Sequence, residues 1–144
     1  RPMSDISVAI GVNINASRYE AFRRACPVIP VVNQVEAHIF FQQGKLLEEM
    51  KKRGTHMQAW SPFAAGKNDF FSNPVLRALG LAYNKTPAQI ALRYLVQLGI
   101  SVIPKSSHRE RMRENLGIFD FHLQDEDMQR IRALDRGKTL FGWY

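Results

Sequence analysis

Four short apolar runs, each followed by a longer amphipathic stretch, constrain this chain more than any other feature. "ISVAIGV" (6–12), "VVNQVE" (31–36), "HMQAWS" (56–61) and "ISVIPK" (100–105) read as strands. Helical patterns follow them: "SRYEAFRRA" (17–25), "QQGKLLEEMKKRG" (42–54), "NPVLRALGLAYN" (73–84), "TPAQIALRYLVQLG" (86–99), an arginine-bearing stretch after Ser107, and a last helix over about 125–135. Strands that alternate with helices imply a parallel sheet of βα units, because parallel neighbours need a long crossover. Each strand is nearly all apolar, as expected when both sheet faces are buried. A complete (β/α)8 barrel needs about 250 residues. Four strands in 144 residues make roughly half of one. Pattern alone leaves a doubly wound open sheet as the alternative. No composition break marks a linker, so residues 1–144 read as one domain with a tail at 136–144.

Local signals place the helix ends. Ser17 and Glu20 are spaced as a capping box. Leu46, Leu47 and Met50 share one face of a helix that Gly54 ends. Asn73 and Pro74 suit an N-cap and a first helical position. Thr86, Pro87 and Gln89 form a capping box with proline at N1, opening a helix that is apolar almost all round and therefore well covered. Ser107 and Glu110 suit the cap of the arginine helix.

Composition removes several classes. No apolar run approaches the roughly 18 residues that span a bilayer, so no membrane association is expected. The opening "RPMSDISVAI" lacks the basic-then-apolar layout of a secretory signal. The single Cys26 cannot form an internal disulfide, which fits a reducing cytoplasm. His38, His56, His108 and His122 show no metal spacing, so no metal is expected. There is no G-x-G-x-x-G, Walker loop or G-x-S-x-G. The net charge of +7, from 20 Lys+Arg and 13 Asp+Glu, favours anionic partners without choosing among them.

In parallel α/β folds, ligands sit at the carboxyl ends of the strands. Here those ends read "NINAS", "NQVEAH", "WSPF" and "KSSHRERMREN", all polar or aromatic. The fourth is the most readable. With a helix starting near His108, Arg111, Glu114 and Asn115 share one face by i, i+3, i+4 spacing. A guanidinium can fork onto a phosphate or stack on a flat ring. A carboxylate and an amide beside it can hydrogen-bond an exocyclic amine such as that of adenine. Lys105, Ser106 and Ser107 lie at a helix N-terminus, a natural anion site. Together they describe a pocket for a phosphorylated adenosine; the same spacing also fits a solvated basic helix face. Arg109 and Arg113 fall on other, solvated faces. Trp60 at a strand end suits either ring stacking or the core. Asn33 and Gln34 are adjacent in a strand, so only one can face a ligand and the other needs a buried partner. His38 reads as a structural histidine.

These residues in this order resemble the aldo-keto reductases. "VVNQVEAH", "AWSPF", "KTPAQIALRYLVQLGISVIPKSSHRERMRENLGIFDF" and "LQDEDMQRIRALD" match that family's second half, from about Ile10 to Asp135. The resemblance implies the C-terminal half of a (β/α)8 TIM barrel, its last four βα units plus extra helices. It also implies reduction of aldehydes and ketones with NADP(H), without a Rossmann fingerprint. By the same resemblance Gln34 holds the nicotinamide carboxamide, and Trp60 stands where a tyrosine usually stacks on the nicotinamide. Ser61, Pro62 and Phe63 lie where the loop crosses the pyrophosphate. Lys105 and Ser106, with Ser107 nearby, hold the 2′-phosphate side. Arg111 stacks on adenine and touches that phosphate, and Glu114 and Asn115 bind the adenine edge.

Several positions depart from the family pattern. "GVNINAS" replaces the usual Gly-Val-Ser-Asn-Phe, so Asn13 falls at the serine, and Ile14 at the asparagine, of the nicotinamide contacts. Ile39 stands where a proline is usual, and Lys67 near an acidic position of the loop over the pyrophosphate. The family's catalytic Asp, Tyr, Lys and His come from the first half of its barrel. Tyr19, Tyr83, Tyr94 and Tyr144 match none of that motif, and the first three fall on helices or near their ends.

Four strands of an open parallel sheet leave two raw edges and an uncovered inner face. Such edges, with a large apolar patch, favour self-association or pairing with an N-terminal half. A chain that opens almost directly on a strand also looks cut or fused upstream. Three functions are in view: the cofactor-holding half of an NADPH-dependent carbonyl reductase, inactive alone; a non-catalytic nucleotide-binding or scaffold protein of the same fold; and a basic nucleic-acid binder. The third is disfavoured because Lys and Arg scatter over every helix instead of forming one stripe.

Overall fold

A computed structural model describes residues 10–143. Four strands, β1 (Ile10–Val12), β2 (Val32–Glu36), β3 (His56–Trp60) and β4 (Ser101–Val102), form one sheet in the order β1-β2-β3-β4. All neighbours are parallel. The expected strand residues 6–9 lie outside the described part. The helices are α1 (Ala16–Ala25), α2 (Gly44–Lys52), α3 (Pro74–Tyr83), α4 (Pro87–Gln97), α5 (Arg109–Leu116) and α6 (Asp125–Arg132). Short 3₁₀ turns at Ala64–Gly66 and Phe70–Ser72 break up the loop after β3. A doubly wound sheet reverses its strand order at a switch point. The described order has no reversal, so it is the order of a barrel segment.

One face of the sheet is the core. Val35, Met57 and Ala59 are buried with Leu46, Leu47 and Met50 of α2 and Ile90, Ala91, Tyr94 and Leu95 of α4. The opposite face corrects one expectation, because the strands are not buried on both sides, and it carries polar side chains among its apolar ones. Register places Val32 beside His56, Gln34 beside Gln58 and Glu36 beside Trp60 on that side. Gln34 Nε2 donates to Gln58 Oε1 at 2.7 Å, and His56 Nε2 lies 2.6 Å from Ser101 Oγ. Polar groups thus pair with one another across the middle of the inner face, while exposed Ile10 stands beside Val32 at its β1 side. Further exposed apolar side chains lie beside the β4 edge, at Ile103, Met112, Leu116 and Phe119.

The helix ends are mostly as read. Asn73 Oδ1 accepts from the amides of Val75 and Leu76, with Pro74 at N1. The Thr86–Gln89 capping box is complete in both directions. Two caps differ. Asn15, not Ser17, caps α1 by accepting from Arg18 N at 3.0 Å, and Ser17 Oγ donates to the same oxygen. Glu20 turns instead to Arg23, Arg24 and Arg53. His108 occupies the N-cap of α5 without a side-chain bond, and Ser106 rather than Ser107 accepts its amide. β4 is only two residues long, although the amide of Ile103 just beyond it still donates to Ala59 O at 3.3 Å.

Candidate functional site

Because every strand runs the same way, the segments after β1, β2, β3 and β4 emerge at one edge of the sheet. The segment after β4 builds a cleft of about 330 Å³. Lys105, Ser106, Arg111, Glu114 and Asn115 line one side of it. Phe63 and Phe71 from the loop after β3, and Thr86, Pro87 and Ala88 at the start of α4, line the other. The spacing argument therefore brings together the residues it selected. Ser107 is exposed and does not line the cleft.

Hydrogen bonds fix the position of α5. Thr86 Oγ1 donates to Glu114 Oε1 at 2.5 Å. Gln89 Nε2 donates to the carbonyls of Glu114 and Gly117 at 3.0 and 3.1 Å. The residues that cap α4 thus also hold the last turn of α5 against it. Among the described residues, Lys105 and Arg111 have no ion-pair partner, so two exposed cations face the cleft beside an anchored carboxyl group and an amide. That combination can bind an anion and the polar edge of a ring together.

The loop from β3 connects this cleft to a second cluster. Ser61, Ala64, Ala65, Asn68 and Asp69 all have φ near +50°, a region that costs non-glycine residues free energy and that is concentrated at functional loops. Pro62 is buried and Phe63 reaches the cleft. Three residues earlier, Trp60 is half-buried, and its indole Nε1 donates to Asn13 Oδ1 at 2.7 Å. Asn13 itself sits at φ +52°, which asparagine tolerates better than most side chains. Gln34 faces this side of the sheet. Its neighbour Asn33 is buried on the helix side, where Nδ2 donates to Ile14 O at 2.8 Å. The pair divides as alternation requires, one outward and one structurally partnered.

The C-terminal residues close over Trp60. Trp143 stacks on it with centroids 5.0 Å apart and planes at 27°, and Phe141 lies 5.2 Å away. Lys67 sits 4.4 Å above the Phe141 ring. Glu36, fully buried at the end of β2, accepts from Leu140 N at 2.7 Å and from Thr139 Oγ1. It also receives His38 Nε2 at 3.0 Å. His38 Nδ1 accepts the Phe40 amide, which puts the ring proton on Nε2. Burial pushes the His38 pKa down, outweighing the upward pull of Glu36, so the ring is held neutral.

Sequence reasoning missed Phe71, Thr86, Pro87 and Ala88 in the cleft, and Glu36 and Thr139 beneath the tail. The Thr86 capping box marks a helix start, yet nothing local says that this start faces α5. Glu36, a lone acid at the end of an otherwise neutral strand, was a signal that could have been used.

With this geometry in hand, comparison with known proteins is decisive about family. The aldo/keto reductase family model matches residues 6–136, and the chain belongs to that family. Among its relatives, a 9,11-endoperoxide prostaglandin H2 reductase of Trypanosoma cruzi is 38% identical over 136 residues, covering 93% of this chain and 48% of that protein. The methylglyoxal reductase DkgA of Yersinia pestis is 42% identical over 113 residues, covering 78% and 41%. Among solved structures, an aldo-keto reductase from a Medee basin deep-sea metagenome library superposes with a TM-score of 0.88 at 36% identity, covering 92% of this chain and 50% of that one. An aldo-keto reductase of the silkworm Bombyx mori, crystallised with NADPH, gives 0.83 at 34%, covering 91% and 43%. The chain spans about half the length of the relatives it matches, and the described strands fit part of a TIM-type barrel.

Proposed function

We propose that this chain is the NADP(H)-holding, C-terminal half of an aldo-keto reductase that reduces aldehydes or ketones. The observation that carries the proposal is the cleft. Its two cations, half-buried acid and amide, and flanking phenylalanines come from separate segments and match what a phosphorylated adenosine needs.

In this reading Lys105, Ser106 and Arg111 bind the 2′-phosphate, with Ser107 at the cleft's outer margin. Arg111 also covers the adenine, while Asn115 and the Glu114 oxygen not taken by Thr86 meet its amino edge. Ser61, Pro62 and Phe63 carry the pyrophosphate across to the nicotinamide end. There Gln34, released from Gln58, takes the carboxamide, Trp60 supplies the ring platform, and Asn13 holds that platform in plane. The bound cofactor supplies a hydride to the carbonyl carbon.

A carbonyl reduction also needs a proton donor beside the acceptor. Each described tyrosine is engaged elsewhere: Tyr19 OH with Thr55, Tyr83 OH with Asp127 and Tyr94 OH with Gln42. Burial pushes the Tyr83 and Tyr94 pKa values up, away from the range of a proton donor at neutral pH. In this reading the donor comes from outside the described residues, on strands that pair with β1 or β4, the edge strands among the described residues. The same observation favours one alternative, a non-catalytic nucleotide-binding or scaffold protein of this fold. Titration with NADPH tests the binding reading. Aldehyde turnover after addition of an N-terminal half distinguishes the enzyme from the scaffold.

A further inference from the structure

The tail occupies the place that the proposed function reserves for a ring. Thr139 Oγ1, besides donating to Glu36, accepts from the amides of Phe141 and Gly142 at 3.2 and 2.9 Å, which curls the chain into a tight turn. Gly142 takes φ +68° in open space, so the turn needs a left-handed residue there and nothing else. The result puts Phe141 and Trp143 together against Trp60. Asn13 holds the edge of the Trp60 indole by a hydrogen bond, which favours this orientation of the ring platform. A near-parallel indole at 5.0 Å has the offset-stacked geometry that a planar cofactor ring would adopt.

We propose that residues 139–143 form an intramolecular plug. Latched by Glu36, the tail holds Trp143 on the ring platform, and NADP(H) seats its nicotinamide only when Trp143 leaves. The adenosine cleft, lined by none of the tail residues, binds independently of the plug. This inference rests on the cofactor reading above, and the test separates the two.

Adenosine 2′,5′-bisphosphate and NADPH are titrated calorimetrically into the full chain and into Trp143→Ala. Trp143 is 62% exposed, so its truncation is tolerated by the fold. An aromatic pair of this kind sets the expected gain in NADPH affinity for Trp143→Ala at roughly two- to tenfold. Affinity for adenosine 2′,5′-bisphosphate stays unchanged. Thr139→Val, which removes the latch hydroxyl, shifts NADPH affinity in the same direction. NADPH affinity that is unchanged or weaker in Trp143→Ala, with the bisphosphate still bound, overturns the plug and leaves the adenosine clamp standing. Equal gains for both ligands also overturn it. If neither ligand binds either protein, clamp and plug fall together.

Discussion

Thr86 donates its hydroxyl to Glu114 at 2.5 Å while accepting the amide of Gln89, so one side chain both starts α4 and aims the acid of α5. Thr86→Val removes both functions at similar volume. Loss of an N-cap costs about 1 kcal/mol, which thermal melting will show as a lowered Tm. Affinity for adenosine 2′,5′-bisphosphate should fall with it, because Glu114 loses its anchor. Thr86→Ser should restore both. A variant with lowered stability and full affinity would show that Thr86 serves the helix alone.

Arg111 and Lys105 are the unpaired cations of the cleft. Arg111→Ala should weaken NADPH by about ten- to hundredfold, the range of a lost charge-assisted hydrogen bond. NADH, which lacks the 2′-phosphate, should lose much less. Equal losses for both cofactors would remove Arg111 from the phosphate.

Gly80 lies inside α3, where helix propensity alone predicts that alanine gains about 0.8–1.0 kcal/mol. A Cβ there would meet the carbonyl oxygen of Lys85 at 2.6 Å, and that carbonyl belongs to the turn leading into α4. Overpacking of this kind costs about 1–3 kcal/mol, so the clash wins. Gly80→Ala should lower the denaturation midpoint and loosen the Thr86 side of the cleft. A stabilised variant would show that the turn moves freely.

Glu20 is paired with Arg23, Arg24 and Arg53, linking α1 to the end of α2. Hydrogen bonding from Arg23, with help from Arg24 and Arg53, lowers its pKa from 4.5 to about 2. A depressed carboxyl pKa favours the folded state above the ordinary value, and the benefit is lost as pH falls from 4.5 through about 2. Glu20→Gln should therefore destabilise the protein at pH 7 and do so progressively less as pH falls from 4.5 through about 2. Carboxyl NMR titration should place the Glu20 midpoint near 2; a midpoint at 4.5 would sink the assignment.

β1 and β4 are the edge strands among the described residues, and with exposed Leu116 and Phe119 beside β4 they should drive association. Sedimentation should show a dimer or larger species, and Phe119→Asp should shift it toward monomer. A stable compact monomer of the unchanged chain would exclude self-pairing.

Much of this was readable in the amino-acid order. Period and length separate strands from helices, and Arg111, Glu114 and Asn115 reach one cleft because helical spacing forces them onto one face. What could not be read depends on contacts between distant segments. Nothing local says that the Thr86 turn abuts α5. The inner face was misjudged because Gln34, His56 and Gln58 interrupt runs that otherwise look buried, and their mutual hydrogen bonding appears only once the strands are in register. The α1 cap was misread for a local reason. Asn15 and Ser17 are both good N-caps two residues apart, and a consensus spacing to Glu20 favoured the wrong one.

The Glu36 latch also has a bearing on the order in which the molecule assembles. Its partners Thr139 and Leu140 lie 103 and 104 residues further along the chain. Closing so long a loop carries its full entropic cost before the contact returns anything. The strands and helices in between can settle first, leaving Glu36 with His38 but without Thr139 and Leu140 until the tail arrives. During synthesis the Trp60 platform would then stand open while most of the chain is already folded. Docking of the tail would then follow the folding of the segments between it and β2.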